Sequence, residues 1–328
     1  MSTLNVAIIG CGSIFKNHAM ALMNMEGVKF HTFCDIKLDR ALSAAEEFGG
    51  KAASDFNEVV KNNEIDVVHI CTPHYLHAPM AIEALKHGKH VLVEKPLAMD
   101  SKEAEKVIKA AEESDRHIGI CFQNRYNENS VRIKKLLDSK EAGAILGARA
   151  FVTWHREGKY YTESDWRGKW STEGGGVLIN QSIHTIDLLQ WFVGEVESVS
   201  GSTATRKLAD IIEVEDTAEG FIKFKNGASG LFFASNCYAV NAPISIEIAC
   251  ENAVIRLEDD LVIKWKDGKV ESFSETSKTT GEKAYWGLGH SKLINDFYNS
   301  INTGRDFSIA PKEAAVATRI IDGIRGRI

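Results

Sequence analysis

Apolar runs and amphipathic segments alternate along the first third of the chain. Short runs that are apolar throughout predict buried strands at 6–9, 28–34, 66–72, 90–93 and 118–122. The segments between them have helical periodicity and predict helices at 18–25, 38–48, 56–62, 78–87 and 102–114, the last capped by Asp100. Buried strands separated by helices indicate a parallel sheet with helices on both faces. We therefore expect a doubly wound α/β domain over residues 1–122.

The pattern changes after residue 122, where strand-like runs dominate. We expect a strand at 148–154, a long helix at 177–192, and further strands at 196–205, 217–225, 228–235, 244–249 and 254–257. The pairs Asn226-Gly227 and Asp267-Gly268 predict tight hairpin turns. Helices at 289–301 and 311–325 follow. Residues 123–328 are thus predicted to form an α+β domain with a mostly antiparallel sheet, and the terminal helix, about 311–328, is a candidate to pack back on the first domain.

Charge and composition exclude several classes of protein. The 328 residues include 39 basic and 45 acidic ones, a net charge of −6, without the basic patch that nucleic-acid binding requires. No stretch is long and apolar enough to span a membrane, and the apolar run 4–9 is too short for the core of a signal peptide. The six cysteines lack metal-type spacing, which favours a reducing compartment. We therefore expect a cytoplasmic protein with neither a membrane nor a nucleic acid as partner.

A glycine-rich loop joins the first predicted strand to the first predicted helix. Gly10 allows a tight turn, and Gly12 lets the backbone approach a pyrophosphate at the helix N-terminus. The other residues of this predicted cofactor loop are Cys11, Ser13 and Ile14. Phe15 stands where the fingerprint has its third glycine, so the helix is expected to start further out.

The residue that ends the second predicted strand indicates which dinucleotide the loop binds. Asp35 is suited to accept hydrogen bonds from the ribose hydroxyls of NAD, and its charge repels the 2′-phosphate of NADP. NAD is therefore the predicted cofactor. An NADP enzyme in which Arg40 binds the 2′-phosphate is the alternative.

Three further segments carry a resemblance to a known family. They are Thr72-Pro73, the run 88–98 containing Glu94-Lys95-Pro96, and three glycines at 174–176 followed by His184 and Asp187. With the glycine loop, they resemble the Gfo/Idh/MocA oxidoreductases over nearly the whole chain. The resemblance implies a Rossmann domain followed by an open, mostly antiparallel sheet, through which members form dimers or tetramers. It also implies hydride transfer to or from sugars, inositols or nucleotide-linked sugars.

Lys95, His184 and Asn180 are the candidate catalytic residues. Lys95 follows a predicted parallel strand, at the edge where α/β sheets bind ligands, and its ammonium can stabilise charge on a reacting oxygen. An imidazole titrates near neutral pH, so His184 is the candidate proton acceptor. Asn180 precedes His184 by four residues and is expected on the same face of the predicted helix. Many family members have aspartate there; because an amide cannot take a proton, Asn180 is assigned to hold substrate.

Further residues are assigned to the cofactor and the substrate, partly through the resemblance. Beyond the glycine loop and Asp35, the predicted cofactor-binding residues are Cys71, Thr72, Pro73, His77, Glu94, Lys95, Trp166 and Arg167. The predicted substrate-binding residues are Lys95, Arg125, Tyr126, His155, Asn180 and His184. A structural salt bridge is the alternative role for Arg125. No metal is expected, because the histidines show no shared metal spacing and this chemistry needs none.

The sequence therefore predicts an NAD-dependent oxidoreductase that moves a hydride to or from a hydroxyl or keto carbon of a sugar, sugar acid or nucleotide-linked sugar. Asparagine at position 180 resembles the subgroup that acts on nucleotide-linked sugar acids. The alternatives are an inositol or simple sugar dehydrogenase, a dihydrodiol- or anhydrosugar-type reductase, and a non-catalytic NAD-sensing regulator. The presence of both Lys95 and His184 argues against the regulator.

Overall fold

The computed structural model describes residues 3–275 and 289–327. The described residues form two compact units, one made of residues 3–123 and 289–315, the other of residues 124–275 and 316–327. The predicted domains, 1–122 and 123–328, differ from these units in the grouping of residues 289–315. Each unit contains its own sheet.

The first unit is built on a parallel, six-stranded sheet. Its strands are β1 (Leu4–Ile9), β2 (Val28–Cys34), β3 (Lys51–Ala53), β4 (Val67–Ile70), β5 (His90–Glu94) and β6 (Ile118–Cys121). They lie in the order β3-β2-β1-β4-β5-β6, which is that of a doubly wound dinucleotide-binding fold. The predicted fold class is confirmed. The short strand β3 escaped prediction, because three residues are too few to show a pattern.

Helices connect these strands. They are α1 (Phe15–Leu22), α2 (Leu38–Phe48), α3 (Phe56–Lys61), α4 (His77–Lys86) and α5 (Ser101–Glu112). The predicted cap of α5 is confirmed, since the Asp100 carboxylate accepts a hydrogen bond from Glu103 N at 2.8 Å. The expectation that α1 starts beyond Phe15 was wrong, because α1 begins there. The Phe15 ring packs edge-on against Phe33 and Phe48, with centroids 6.4 and 6.2 Å apart, so an aromatic contact replaces the close helix–strand approach that glycine permits.

The second unit contains a mixed, eight-stranded sheet. Its strands are β7 (Ile145–Thr153), β8 (Val196–Ala204), β9 (Thr217–Phe224), β10 (Ser229–Ser235), β11 (Ser245–Cys250), β12 (Ala253–Leu257), β13 (Asp260–Trp265) and β14 (Val270–Ser274). Their order is β14-β13-β12-β11-β7-β10-β9-β8, and β7 and β10 are the parallel pair. Asn226-Gly227 joins β9 to β10, and Asp267-Gly268 joins β13 to β14, as predicted. Strands β13 and β14 themselves were not predicted.

The second unit contains the helices α6 (Glu128–Asp138), α7 (Gly158–Thr162) and α8 (Ile183–Val193). One of them begins later than the sequence predicts, and this difference changes the place of Asn180. The long helix predicted from residue 177 begins only at Ile183. The Ser182 backbone N–H and hydroxyl both donate to Val177 O, at 2.9 and 2.7 Å, so this carbonyl is not available for a regular helical bond. Asn180 therefore lies in a turn, not on a helix face shared with His184.

Two helices close the described chain, α9 (Gly289–Thr303) and α10 (Pro311–Ile324), close to their predicted bounds. In the first unit, the segment between them contacts the edge strand β6, where Ile120 N donates to Ile309 O at 3.0 Å. Phe307 lies so close to Gly119 that a Cβ there would meet its ring at 2.6 Å. Among the described helices, none has the length and apolar character needed to cross a bilayer.

Candidate active site

In the glycine loop between β1 and α1, Gly10 has a backbone conformation that favours glycine, and Gly12 faces open space. Gly10 has φ +91°, and a Cβ there would lie 2.7 Å from Cys71 O, at the end of neighbouring β4. A Cβ at Gly12 would meet nothing within 4 Å. Packing therefore does not explain Gly12, whereas a pyrophosphate that approaches the backbone does. The loop fits the dinucleotide predicted from the sequence.

Asp35 lies beside this loop. Its carboxylate accepts hydrogen bonds from Cys11 N at 2.8 Å and from Lys37 N at 2.9 Å. The residue is 8% exposed. The acid that sequence analysis assigned to the ribose is thus held at the glycine loop by two backbone amides.

The turns after β4 and β5 are joined by one imidazole. His77 Nδ1 lies 2.6 Å from Pro96 O, and Nε2 lies 2.8 Å from Thr72 O. Burial lowers the pKa of His77, although the two carbonyl contacts oppose this effect. The peptide bond between Lys95 and Pro96 is cis. The predicted residues Thr72, Pro73, His77 and Lys95 therefore line the carboxyl edge of the first sheet, where such folds bind ligands.

Behind Lys95 lies a buried polar cluster that sequence analysis did not predict. The Glu94 Oε1 atom accepts hydrogen bonds from His18 Nε2 at 3.0 Å and His290 Nε2 at 3.1 Å, and Lys95 N lies 3.3 Å from Oε2. His18 Nδ1 lies 2.8 Å from His69 Nδ1, and His69 Nε2 lies 3.0 Å from the Tyr298 hydroxyl. The cluster links α1, β4, β5 and α9 within the first unit.

One protonation pattern satisfies this cluster. Burial would raise the pKa of Glu94, but the hydrogen bonds from His18 and His290 outweigh it and hold the pKa well below its usual range. Burial lowers the pKa of His18 and of His69. We assign neutral imidazoles to His18 and His69, with the tautomers set by the hydrogen bonds. Glu94, His18 and His290 also have ligand atoms within 4.8 Å of one another, as a metal site would, but the hydrogen bonds account for them without an ion.

In the second unit, the glycines before Asn180 are held by a buried ion pair. A Cβ at Gly175 would lie 1.6 Å from Arg325 Nη2, and one at Gly176 would lie 1.9 Å from Glu215 O. Arg325 donates to Gly174 O and to Glu215 Oε1, both at 2.9 Å. Glu215 Oε1 also accepts from Gly176 N at 3.0 Å. These contacts explain why side chains are excluded at positions 175 and 176.

Asn180 follows this run and is tied to a buried carboxylate. Its Nδ2 atom donates to Glu173 Oε1 at 2.5 Å and to the Tyr160 hydroxyl at 3.3 Å. Glu173 Oε2 accepts from Gly168 N at 2.6 Å, and the Glu173 side chain is fully buried. Sequence analysis missed Glu173, although a carboxyl residue directly before three glycines was visible in the sequence.

His184 lies in the first turn of α8 and is 7% exposed. Asp187 lies one turn further along α8, at a spacing suited to orienting the imidazole. The Asp187 carboxylate accepts a bidentate pair of hydrogen bonds from Arg125, with Nε and Nη2 at 2.7 and 2.6 Å. Both side chains are buried, and the guanidinium lies 5.2 Å from the Trp191 ring centroid. This geometry favours the structural salt bridge that was the alternative for Arg125.

Of the remaining predicted residues of the second unit, Arg167 packs over Tyr160, whereas His155 and Tyr126 lie in earlier segments. The Arg167 guanidinium lies 4.4 Å from the Tyr160 ring centroid and 5.0 Å from that of Trp166. His155 Nδ1 lies 2.6 Å from a backbone carbonyl oxygen. Tyr126 ends a short 3-10 helix over 123–126 and is half-buried. Thus Arg167 and Asn180 share Tyr160 as a neighbour.

A glycine loop on a doubly wound sheet, followed by a second sheet unit carrying a histidine and an amide, defines the class of dinucleotide-dependent oxidoreductases. Two family models match the chain. Residues 4–122 match the oxidoreductase family with an NAD-binding Rossmann fold, and residues 130–256 match the GFO/IDH/MocA C-terminal domain. The chain belongs to the Gfo/Idh/MocA family, and it is an NAD-dependent oxidoreductase.

Characterised relatives resemble the chain over most of its length. Levoglucosan dehydrogenase from Pseudarthrobacter phenanthrenivorans is 27% identical over 94% of this chain and 92% of its own. A levoglucosan dehydrogenase complex with NADH and levoglucosan has a TM-score of 0.88 at 25% identity, covering 99% of this chain and 97% of the other. The WlbA dehydrogenase from Bordetella pertussis, in complex with NADH and UDP-GlcNAcA, has a TM-score of 0.84 at 27% identity, covering 99% and 98%.

Proposed function

We propose that this protein is an NAD-dependent dehydrogenase that oxidises a secondary hydroxyl of a sugar, sugar acid or nucleotide-linked sugar. The observation that carries the proposal is the environment of Asn180, whose amide donates hydrogen bonds to Glu173 and to the Tyr160 hydroxyl, with the Arg167 guanidinium over the Tyr160 ring. Polar, aromatic and cationic groups together suit a polyhydroxylated, acidic substrate. Relatives of similar fold bind levoglucosan and UDP-GlcNAcA.

Lys95, His184 and Asn180 have separate roles in the proposed reaction. Bound NAD supplies the acceptor for the hydride. Lys95 donates a hydrogen bond to the reacting oxygen and stabilises the negative charge that develops there. His184 accepts the hydroxyl proton as general base, because imidazole can exchange a proton near neutral pH. Asn180 orients the substrate through a hydrogen bond and takes no proton.

Kinetics with a substrate panel test this function. We expect NADH to bind more tightly than NADPH, because the Asp35 carboxylate repels a 2′-phosphate. With NAD and a panel of levoglucosan, myo-inositol, simple sugars, sugar acids and UDP-sugar acids, at least one compound should yield NADH. Lys95→Ala and His184→Ala should each lower kcat by about 10²- to 10⁴-fold.

The same titration supplies the control. Both variants should bind NADH with a Kd close to that of the wild type if the residues serve chemistry. Tight NADH binding without turnover of any compound would contradict the proposal and favour the NAD-sensing regulator. Preference for NADPH would show that Asp35 does not select the cofactor.

We also propose that the protein is a cytoplasmic homo-oligomer that pairs through the open face of the second sheet. Leu231 and Phe221 pair across β10 and β9 on this face, 56% and 37% exposed. Arg149, Glu247 and Arg256 continue the same row as an ion-paired cluster. A face that mixes exposed apolar and charged side chains suits contact with a second copy. The six cysteines are free thiols, as a reducing compartment favours.

A further inference from the structure

Arg156 follows β7 in the second unit, and oxygen atoms of neighbouring segments fix its position. Its backbone N–H donates to Asn236 O at 3.0 Å. Its guanidinium Nη1 donates to His155 O at 2.7 Å and to Asn241 Oδ1 at 3.0 Å. Both hydrogens of Nη1 are thus used, and they set the orientation of the guanidinium plane. The Nε and Nη2 atoms form the remaining edge, which carries two parallel N–H groups.

Among the residues that the structure describes, no carboxylate forms an ion pair with Arg156. Glu157, the next residue in the chain, lies 3.9 Å from His155 Nε2. Arg125, in the same unit, shows how the Nε and Nη2 edge binds an acid, because these two atoms donate to the two oxygens of Asp187 at 2.7 and 2.6 Å. The corresponding edge of Arg156 therefore suits a carboxylate or a phosphate.

Aromatic side chains surround the Arg156 guanidinium. Its carbon lies 5.0 Å from the Trp154 ring centroid and 5.3 Å from the Tyr160 ring centroid. Stacking on rings leaves the N–H groups at the edge of the plane able to donate, and it lowers the local dielectric around the charge. The Arg167 guanidinium lies 4.4 Å from the same Tyr160 centroid. Two guanidinium groups close to one phenol give this part of the unit a positive potential.

Tyr160 connects Arg156 to Asn180, the residue assigned to hold the substrate. The Tyr160 hydroxyl accepts hydrogen bonds from Asn180 Nδ2 at 3.3 Å and from Gln181 Nε2 at 3.2 Å, while the ring of the same side chain contacts Arg156. A ligand beside Asn180 therefore has to extend only along one phenol ring to reach the guanidinium. A pyranose ring has similar dimensions, so an acidic substituent on the sugar can span this distance.

We propose that Arg156 is a specificity-determining residue that binds an anionic group of the substrate through Nε and Nη2. Within the proposed function, this selects sugars that carry a carboxylate or a phosphate over neutral sugars and inositols. The inference rests on the proposed function in taking Asn180 as a neighbour of the substrate. Arg156 takes no part in the transfer of the hydride or the proton, so its effect falls on substrate binding.

Calorimetric titration of the NADH-bound protein with four ligands tests this selection. Glucose has no acidic group, glucuronate has a carboxylate, UDP-glucose has a diphosphate, and UDP-glucuronate has both. Glucuronate or UDP-glucose should bind about 10- to 100-fold more tightly than glucose, because a charge-assisted pair of hydrogen bonds is added. The ligand that gains affinity identifies the carboxylate or the phosphate as the recognised group. No turnover is required, so this test can fail while the proposed function stands, or succeed while that function fails.

Three substitutions separate recognition of the anion from other effects. Arg156→Gln should raise the Kd of the preferred acidic ligand by about 10- to 100-fold and leave the Kd values of glucose and NADH unchanged. Arg156→Lys should recover part of the affinity, because it keeps the charge but not the paired N–H groups. Arg206→Gln removes a charge from an exposed arginine of the same unit and should bind all four ligands as the wild type does.

Equal Kd values of the wild type for glucose, glucuronate and UDP-glucose would overturn the proposal, and so would the absence of binding by every acidic ligand. An Arg156→Gln variant that binds the acids like the wild type would also contradict it. An equal loss of affinity for neutral and acidic ligands would indicate that Arg156 only supports Tyr160. The comparison of ligands in the wild type needs no variant, so the proposal stays testable if Arg156→Gln does not fold.

Discussion

Gly10 and Gly12 stand two positions apart in one loop, yet a methyl group added at each would meet different surroundings. At Gly10 it would contact the Cys71 carbonyl oxygen at 2.7 Å, on a backbone with φ +91°. At Gly12 it would contact nothing within 4 Å. The sequence motif predicted both glycines and their purposes. The motif did not predict how Phe15 packs, because its contact with Phe33 depends on a residue in another strand.

These surroundings predict that Gly10→Ala mainly lowers stability, whereas Gly12→Ala mainly weakens NADH binding. Gly10→Ala should lower the free energy of unfolding by about 2–3 kcal/mol, because it adds strain and a clash with backbone. Gly12→Ala should change it by less than about 1 kcal/mol but raise the Kd for NADH about tenfold, because the methyl group occupies the pyrophosphate's space. Urea denaturation and NADH fluorescence titration measure the two effects. A fully stable Gly10→Ala, or normal NADH binding by Gly12→Ala, would contradict this account.

Four elements of the first unit, α1, β4, β5 and α9, are joined through the hydrogen bonds of the cluster around Glu94. Sequence analysis treated His18 and His290 as unrelated, since no motif spacing connects residues that meet only after folding. The same limit explains the helix predicted from residue 177. Its apolar pattern is helical, but the bonds from Ser182 to Val177 O delay α8 until Ile183.

The buried imidazoles predict how the stability of this unit depends on pH. Burial holds the folded-state pKa values of His18 and His69 below the usual histidine value of about 6.5, so the unfolded state binds more protons just below that pH. Their contribution is complete above about pH 6.5 and is lost as the pH falls. The depressed pKa of Glu94 acts in the same direction at lower pH.

Denaturation at a series of pH values measures this loss. His69→Gln should flatten the fall in stability between about pH 6.5 and about pH 5, because one titrating group is removed. An unchanged slope in His69→Gln would show that His69 is not neutral in the folded protein.

For the whole molecule, the open sheet face raises the question of assembly. We expect Leu231→Glu to shift the protein toward monomers, because it adds like charges to the proposed contact on both copies. Met20→Glu makes the same change on α1, where the side chain is equally exposed at 56%, and should leave the assembly intact. Sedimentation velocity distinguishes the two. A wild-type protein that sediments as a monomer, or a Leu231→Glu variant that keeps the wild-type mass, would contradict the proposal.

For the whole molecule, the sequence predicted the fold class better than it predicted the contacts between distant segments of the chain. The order of strand-like and helix-like segments was enough for two sheets of the right kind, because local periodicity reports burial. Pairs such as Ile120 with Ile309, or Gly119 with Phe307, are absent from any local pattern. Asn180 and its carboxylate show the same limit within the site: the motif places the amide, but only the fold shows which of its atoms is committed to Glu173.

The contacts of the Arg325 guanidinium affect the order in which the second unit can fold during translation. It donates to Gly174 O across 151 residues of chain and occupies the space that a side chain at Gly175 would take. During translation, the glycine run therefore leaves the ribosome long before the side chain that fills it. A nascent chain can assemble much of the second sheet while this segment stays without its counterpart. Completion of the turn that carries Asn180 thus waits until the chain has been synthesised as far as Arg325.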